Sequence, residues 1–261
     1  MKRILLFLAF CSFAFTTDDY KLIESIPFKG VDFITTDNLG NIYVIVGNQL
    51  LQFDPAGKPK ANFSENSLGE LRSIDASNPM KLVLFYPDFG RIILLNSQLS
   101  IQSHIYLRQL GIEQASIACG SDYGGYWVFD RQDFQLKKVD LNLQVVYQSG
   151  DLLSLTGLSI SPNYLSEYDG FVYMNDPKNG IFVFDRYGTY YKTIPLKVPT
   201  SFQILKQELL HLSENKLMAF HLKSLAEREI LLPLHDTVIS ARIENQQLYL
   251  LTSDSLTFYS F

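Results

Sequence analysis

The side chains able to do chemistry are few and irregularly placed. Carboxylates at Asp32, Asp75, Glu113, Asp130, Asp176 and Asp236, with the imidazoles of His104, His211, His221 and His235, are the groups that could hold a metal or move a proton. A divalent ion needs several of them converging at ligand spacing, and these share no common spacing. No His-Glu-x-x-His pair, Gly-x-Ser-x-Gly elbow or glycine-rich phosphate loop occurs. Asp37-Asn38-Leu39-Gly40 lacks the alternating oxygen ligands and closing glutamate of a calcium loop. Cys119 stands in Ser116-Ile117-Ala118-Cys119-Gly120, with no histidine or basic group nearby, a setting that suits a buried thiol better than a nucleophile. We expect no catalytic residue, no metal site and no cofactor.

Recognition is the better prospect. Four loop stretches mix acids, bases, prolines and an aromatic: Tyr86-Pro87-Asp88-Phe89-Gly90-Arg91, Asp130-Arg131-Gln132-Asp133, Asn175-Asp176-Pro177-Lys178-Asn179 and Ser213-Glu214-Asn215-Lys216. A polar rim with aromatic anchors suits a protein, peptide or glycan ligand. The candidate contacts are Tyr86, Asp88, Phe89, Arg91, Asp130, Arg131, Asp176 and Lys178; ordinary turn chemistry with solvating charges is the competing reading of the same residues. The net charge of −5 and the lack of any Lys/Arg run exclude the electrostatic footprint of a nucleic-acid binder. Trp127, in mid-strand after Gly124-Gly125-Tyr126, reads as core.

What must position these loops is a repeat. From Thr36 to Lys58 the chain alternates turn residues, Asp37-Asn38-Leu39-Gly40 and Gly47-Asn48, with apolar and β-branched runs, which predicts strands joined by tight turns. The strand ending at Phe53-Asp54 has echoes stopped by a polar residue at 96, 140, 185, 221 and 260, about forty residues apart, the period of propeller blades. Aromatic-bearing strands around Tyr43, Phe85, Trp127, Tyr173, Leu210 and Tyr249 keep the same beat. Upstream of each lies an inner strand, at 33–35, 73–75, 116–118, 159–161, 201–203 and 240–242, five of which begin with serine. Outer strands are expected at 60–63, 101–107, 143–148, 190–196 and 228–232. The alternating stretch 20–28 has no unit of its own and is expected to complete the last sheet beside 256–261. The fold class is therefore all-β, a six-bladed β-propeller closed by an N-terminal strand completing the last blade. With 47% hydrophobic and 13% aromatic residues, one domain over 17–261 can bury a large core.

Residues 37–58 resemble the NHL-type propeller repeat, in which Asp-x-x-Gly-Asn precedes an Ile/Val-Tyr-Val strand and an Asn-x-apolar-x-x-Phe-Asp arm ends in a glycine turn. Asn179-Gly180-Ile181-Phe182-Val183-Phe184-Asp185-Arg186-Tyr187-Gly188 is similar to its second half. The resemblance covers about two of six units. It implies a binding platform, or, as the alternative, a metal-dependent lactonase, esterase or lyase working in the central channel.

At the N-terminus Met1-Lys2-Arg3, the apolar run 4–15 and Thr16-Thr17-Asp18-Asp19 form the pattern of a secretion signal, assigned to 1–16 and too short to span a bilayer. Cys11 offers a lipoprotein alternative, which Phe10 before it disfavours. The expected protein is exported, periplasmic or extracellular, attached to the outer membrane if Cys11 is lipidated, with no transmembrane span in the mature chain. It is expected to act as a non-catalytic binding module or scaffold subunit of an envelope assembly, as a monomer or within a complex.

Overall fold

The computed structural model describes residues 20–233 and 237–261. The expected signal segment, Cys11, His235 and Asp236 lie outside the described residues.

Strand β1 (Lys21–Pro27) belongs to the last sheet. The chain then builds five consecutive four-stranded antiparallel sheets. The first is β2 (Phe33–Thr36), β3 (Ile42–Val46), β4 (Gln49–Phe53) and β5 (Pro59–Ser64); the second is β6 (Ser73–Asp75), β7 (Leu82–Tyr86), β8 (Arg91–Leu95) and β9 (Ile101–Tyr106). The third is β10 (Ala115–Gly120), β11 (Tyr126–Asp130), β12 (Gln135–Val139) and β13 (Val145–Gln148). A one-turn helix, α1 (Leu152–Thr156), follows, capped by the Asp151 carboxylate on Leu153 N at 2.9 Å. The fourth sheet is β14 (Tyr164–Tyr168), β15 (Phe171–Asp176), β16 (Gly180–Asp185) and β17 (Tyr190–Ile194), and the fifth is β18 (Gln203–Leu205), β19 (Glu208–Ser213), β20 (Lys216–His221) and β21 (Glu227–Ile230). The sixth takes β22 (Val238–Glu244), β23 (Gln247–Thr252) and β24 (Ser255–Ser260), with β1 as its outer strand. The chain is a six-bladed β-propeller.

Closure is by the expected strand. β1 runs antiparallel to β24 from Lys21 opposite Ser260 to Pro27 opposite Ser255, with Pro27 at the end of an edge strand, where a missing N–H costs least. Ser25 and Thr257, directly opposite, bring their hydroxyls to 3.2 Å.

The turns explain the beat. Asp54 Oδ1 accepts the amides of Ala56 and Lys58, each at 2.9 Å, and Asn96, Asp140 and Asp185 do the same two and four residues on. His221 Nδ1 takes over in the fifth blade, accepting from Lys223 and Ser224. A side-chain acceptor at the stop residue thus folds the next strand back. In the four turns led by Asp54, Asn96, Asp140 and Asp185 the fourth residue is left-handed. Glycine fills it at Gly57 and Gly188, but Leu99 and Leu143 hold the same conformation at φ 58° and 62°.

The middle strands of each sheet are largely buried on both faces, so six apolar clusters occupy the six seams. That between the sixth and first blades gathers Ile34, Ile42, Val44, Tyr249, Leu256 and Phe258; that between the third and fourth gathers Cys119, Trp127, Phe129, Leu165, Met174 and Phe182.

Two inner strands differ from expectation, the fifth starting at Gln203 and not 201, and the fourth more widely. Residues 159–161 are not a strand; the inner strand of the fourth blade is β14, starting at Tyr164. Pro162 has no N–H for a ladder, so pairing begins only beyond it. The serines consequently hold no common place: Ser73 opens β6, Ser116 and Ser240 lie inside β10 and β22, and Ser159 and Ser201 precede their strands.

Candidate functional site

The loops between second and third strands share a rim with the connections that lead into each blade, and the two are clasped by side chains. Asp32 Oδ2 accepts from Gly47 N at 2.7 Å, Asp88 Oδ2 from Glu70 N at 3.3 Å, and Asp130 Oδ1 from Gln114 N at 3.2 Å. Asp176 Oδ2 accepts from Ser161 N at 2.6 Å, and Asn215 Oδ1 from Val238 N at 2.6 Å.

This clasp divides the eight rim candidates. Asp130 and Asp176 are buried and engaged: Asp130 also accepts from Gln132 N and pairs with Lys137 Nζ at 2.9 Å, while Asp176 Oδ1 accepts from the amides of Lys178 and Asn179. Burial opposes the charge of Lys137, but its hydrogen bonds to Asp133 and Asp130 outweigh that and raise its pKa. Tyr86 ends β7 inside the seam, where burial, then the Glu65 charge, holds its phenol well above the ordinary range. Tyr86, Asp130 and Asp176 thus lie in the framework of the fold, Asp130 and Asp176 through the bonds that secure their loops and Tyr86 through burial in the seam. Asp88, Phe89, Arg131 and Lys178 remain exposed, Phe89 at 49%, and Arg91 lies half-buried with its guanidinium 4.2 Å over the Tyr106 ring. They come from three consecutive blades.

Side chains of the inner strands meet across the channel. Buried Arg242 on β22 donates from Nη1 to Phe202 O at 3.0 Å and from Nη2 to Ser201 Oγ at 3.4 Å, with its guanidinium 5.9 Å from the Phe33 ring centre. The Tyr164 ring packs against Phe33 at 6.2 Å and Phe202 at 5.0 Å, so four blades meet through these side chains. Burial raises the Tyr164 phenol, against the opposing Arg242 charge. A cavity of about 20 Å³ remains among Thr35, Ser73, Asp75, Tyr164 and Ser166, room for about one water. Asp75, the inner-strand acid read from the sequence, has both oxygens occupied by Ser77 N at 2.9 Å and Gly120 N at 2.7 Å.

The opposite mouth holds groups that sequence reading missed. Glu167 on β14 is buried and accepts from Trp127 Nε1 at 2.7 Å. Asp122 has its carboxyl pushed above the usual range by burial first, then by Glu167 and Asp75. Beside it a 330 Å³ cleft is lined by Asn38, Ser77, Lys81, Asp122 and Tyr126. The signal for Glu167 was the alternation Tyr164-Leu165-Ser166-Glu167-Tyr168, hidden by placing that inner strand too early. Cys119 is buried, its thiol pushed up by burial first and then by Asp75, Glu167 and Asp122. Among the described residues no three His, Cys, Asp or Glu stand where they could hold a metal.

No family model matches the chain, and no curated protein sequence matches it. Solved structures do. The chain is similar to BamB from Moraxella catarrhalis, at 10% identity over 93% of this chain and 98% of that one, with a TM-score of 0.52. It is also similar to a streptogramin B lyase, at 13% identity over 95% and 89% with a TM-score of 0.62. The Pan2 WD40 domain of Neurospora crassa matches at 9% identity over 94% and 97%, with a TM-score of 0.59. At these identities the likeness establishes the propeller fold alone. No helix among the described residues is long and apolar enough to cross a membrane.

Proposed function

We propose that this chain is an exported, non-catalytic propeller that serves as a binding module or scaffold subunit of an envelope assembly, holding a protein, peptide or glycan partner on its loop rim. The observation that supports the reading is the meeting of Arg242, Tyr164 and Phe33 across the channel where a channel enzyme would seat its substrate, with a cavity of about 20 Å³ beside Tyr164. Recognition is left to the outside, where Asp88, Phe89, Arg91, Arg131 and Lys178 supply both charges and an aromatic anchor. The N-terminal signal pattern and the similarity to BamB support an envelope location.

The test is in-situ crosslinking of the full chain in its native cell envelope, comparing wild type with the Arg91→Ala, Arg131→Ala, Lys178→Ala triple variant. A discrete partner captured by wild type and lost in the folded variant is expected; unchanged capture removes the rim from the reading. Stoichiometric calcium or zinc in the purified protein would overturn it in favour of the metal-dependent alternative.

A further inference from the structure

Each blade ends in an outer strand whose free edge presents unpaired backbone donors and acceptors, and soluble proteins guard such edges with charge, proline or cover. Four of the six carry a charge or a proline in the strand itself. β1 carries Lys21, Glu24 and Pro27; β5 begins Pro59-Lys60; β17 holds Lys192; β21 holds Glu227, Arg228 and Glu229. β9 has neither a fixed charge nor a proline, and there the Arg91 guanidinium of β8 lies over Tyr106 at the end of the strand.

β13 in the third blade has no such guard. Val145, Val146, Tyr147 and Gln148 include neither a charge nor a proline, and the three apolar side chains are 38%, 43% and 40% exposed. All four residues are exposed, so nothing among the described residues covers the strand. The apolar surface continues through Leu141 and Leu143 on the preceding turn and through Tyr187 of the fourth blade, whose ring meets Tyr147 edge-on at 5.3 Å.

We propose that β13 is a docking edge that receives an extended, uncharged, largely apolar peptide segment of a partner protein as a fifth strand of the third blade. A row of backbone groups at strand spacing is matched by an extended chain. Residues 143–148 contain no charge, so a charged strand laid there would give up hydration without gaining an ion pair. A second copy fits poorly. Two copies could pair only along the four residues of β13, short of the roughly 20 residues a side of a stable interface, whereas a flexible segment can also follow Leu141, Leu143 and Tyr187. This extends the binding-module reading to a second surface and does not depend on the loop rim.

The experiment uses the full chain and a fluorescein-labelled, end-capped eight-residue peptide of alternating valine and threonine, with a central-proline version as control. Anisotropy reports binding, hydrogen exchange reports the amides of Val145–Gln148, and sedimentation reports assembly state. Saturable binding of the first peptide alone, protection at β13, and a tenfold or greater loss in Val146→Lys and Tyr147→Lys variants of unchanged melting temperature are expected. The rim triple variant should bind the peptide as wild type does, so failure of the rim reading and failure of this one are separable. No binding, equal binding of the proline peptide, or binding untouched by both lysine variants overturns the proposal. A β13-dependent dimer also overturns it, assigning the edge to a second copy.

Discussion

Trp127 Nε1 donates a 2.7 Å hydrogen bond to Glu167 Oε2 across the seam between the third and fourth blades, with both side chains buried. Leaving the indole N–H without an acceptor costs about 1–3 kcal/mol, whereas a glutamine oxygen can still accept. Glu167→Leu should therefore lower stability by about that amount and Glu167→Gln should stay close to wild type. Trp127 is the chain's single tryptophan, so its fluorescence during urea unfolding reads this seam directly. Equal stability of the leucine variant would refute the assignment.

The raised carboxyl of Asp122 makes a prediction about pH. Its folded pKa lies above its unfolded one, so between the two values the folded state binds the extra proton and stability falls as pH rises through that window. The penalty is absent below the unfolded value and complete above the folded one. Asp122→Asn should raise the melting temperature at pH 7 and give no such gain near pH 3. A gain of equal size at both values would assign the effect to packing.

Leu99 and Leu143 occupy left-handed turn positions that Gly57 and Gly188 fill elsewhere, and the two leucines should respond oppositely to glycine. Leu143 is more than a third exposed, so Leu143→Gly should relieve backbone strain and stabilise by up to about 1 kcal/mol. Leu99 is buried in the seam between the first two blades, and Leu99→Gly should destabilise by about 2 kcal/mol or more, because the cavity outweighs the backbone gain. Chemical denaturation of the two variants checks the contrast.

Ring closure can be tested at Ser25 and Thr257, which face each other across β1 and β24. A Ser25→Cys, Thr257→Cys variant should crosslink on oxidation and melt higher than its reduced form, since the bond ties positions 232 apart in sequence. Removing residues 20–28 should expose the β24 edge, broaden the unfolding transition and promote association. A truncated chain that melts like wild type would show that closure adds nothing.

The ring was legible because its signals are local. A stop residue such as Asp54, Asn96, Asp140 or Asp185 acts on amides two and four positions away, so the sequence carries the turn and the forty-residue beat, and the closure by 20–28 followed because that stretch was the one strand left without a unit. Even the fifth unit, least clear as a pattern, folds as β18–β21.

What tertiary structure alone decided is which polar groups the ring consumes. Asp130 and Asp176 read as exposed rim acids until the connection from the preceding blade turned out to need their oxygens. Trp127 to Glu167, Arg242 to Phe202 and Gln203 to Ile243 each join residues 40 apart in sequence, nearly one full repeat. A sequence window sees the turn within a blade, but the partner of an inter-blade bond lies a whole blade away and is chosen by how neighbouring sheets pack. That packing brings Arg242 and Tyr164 together across the channel and leaves β13 with no charge, proline or covering cation on its edge.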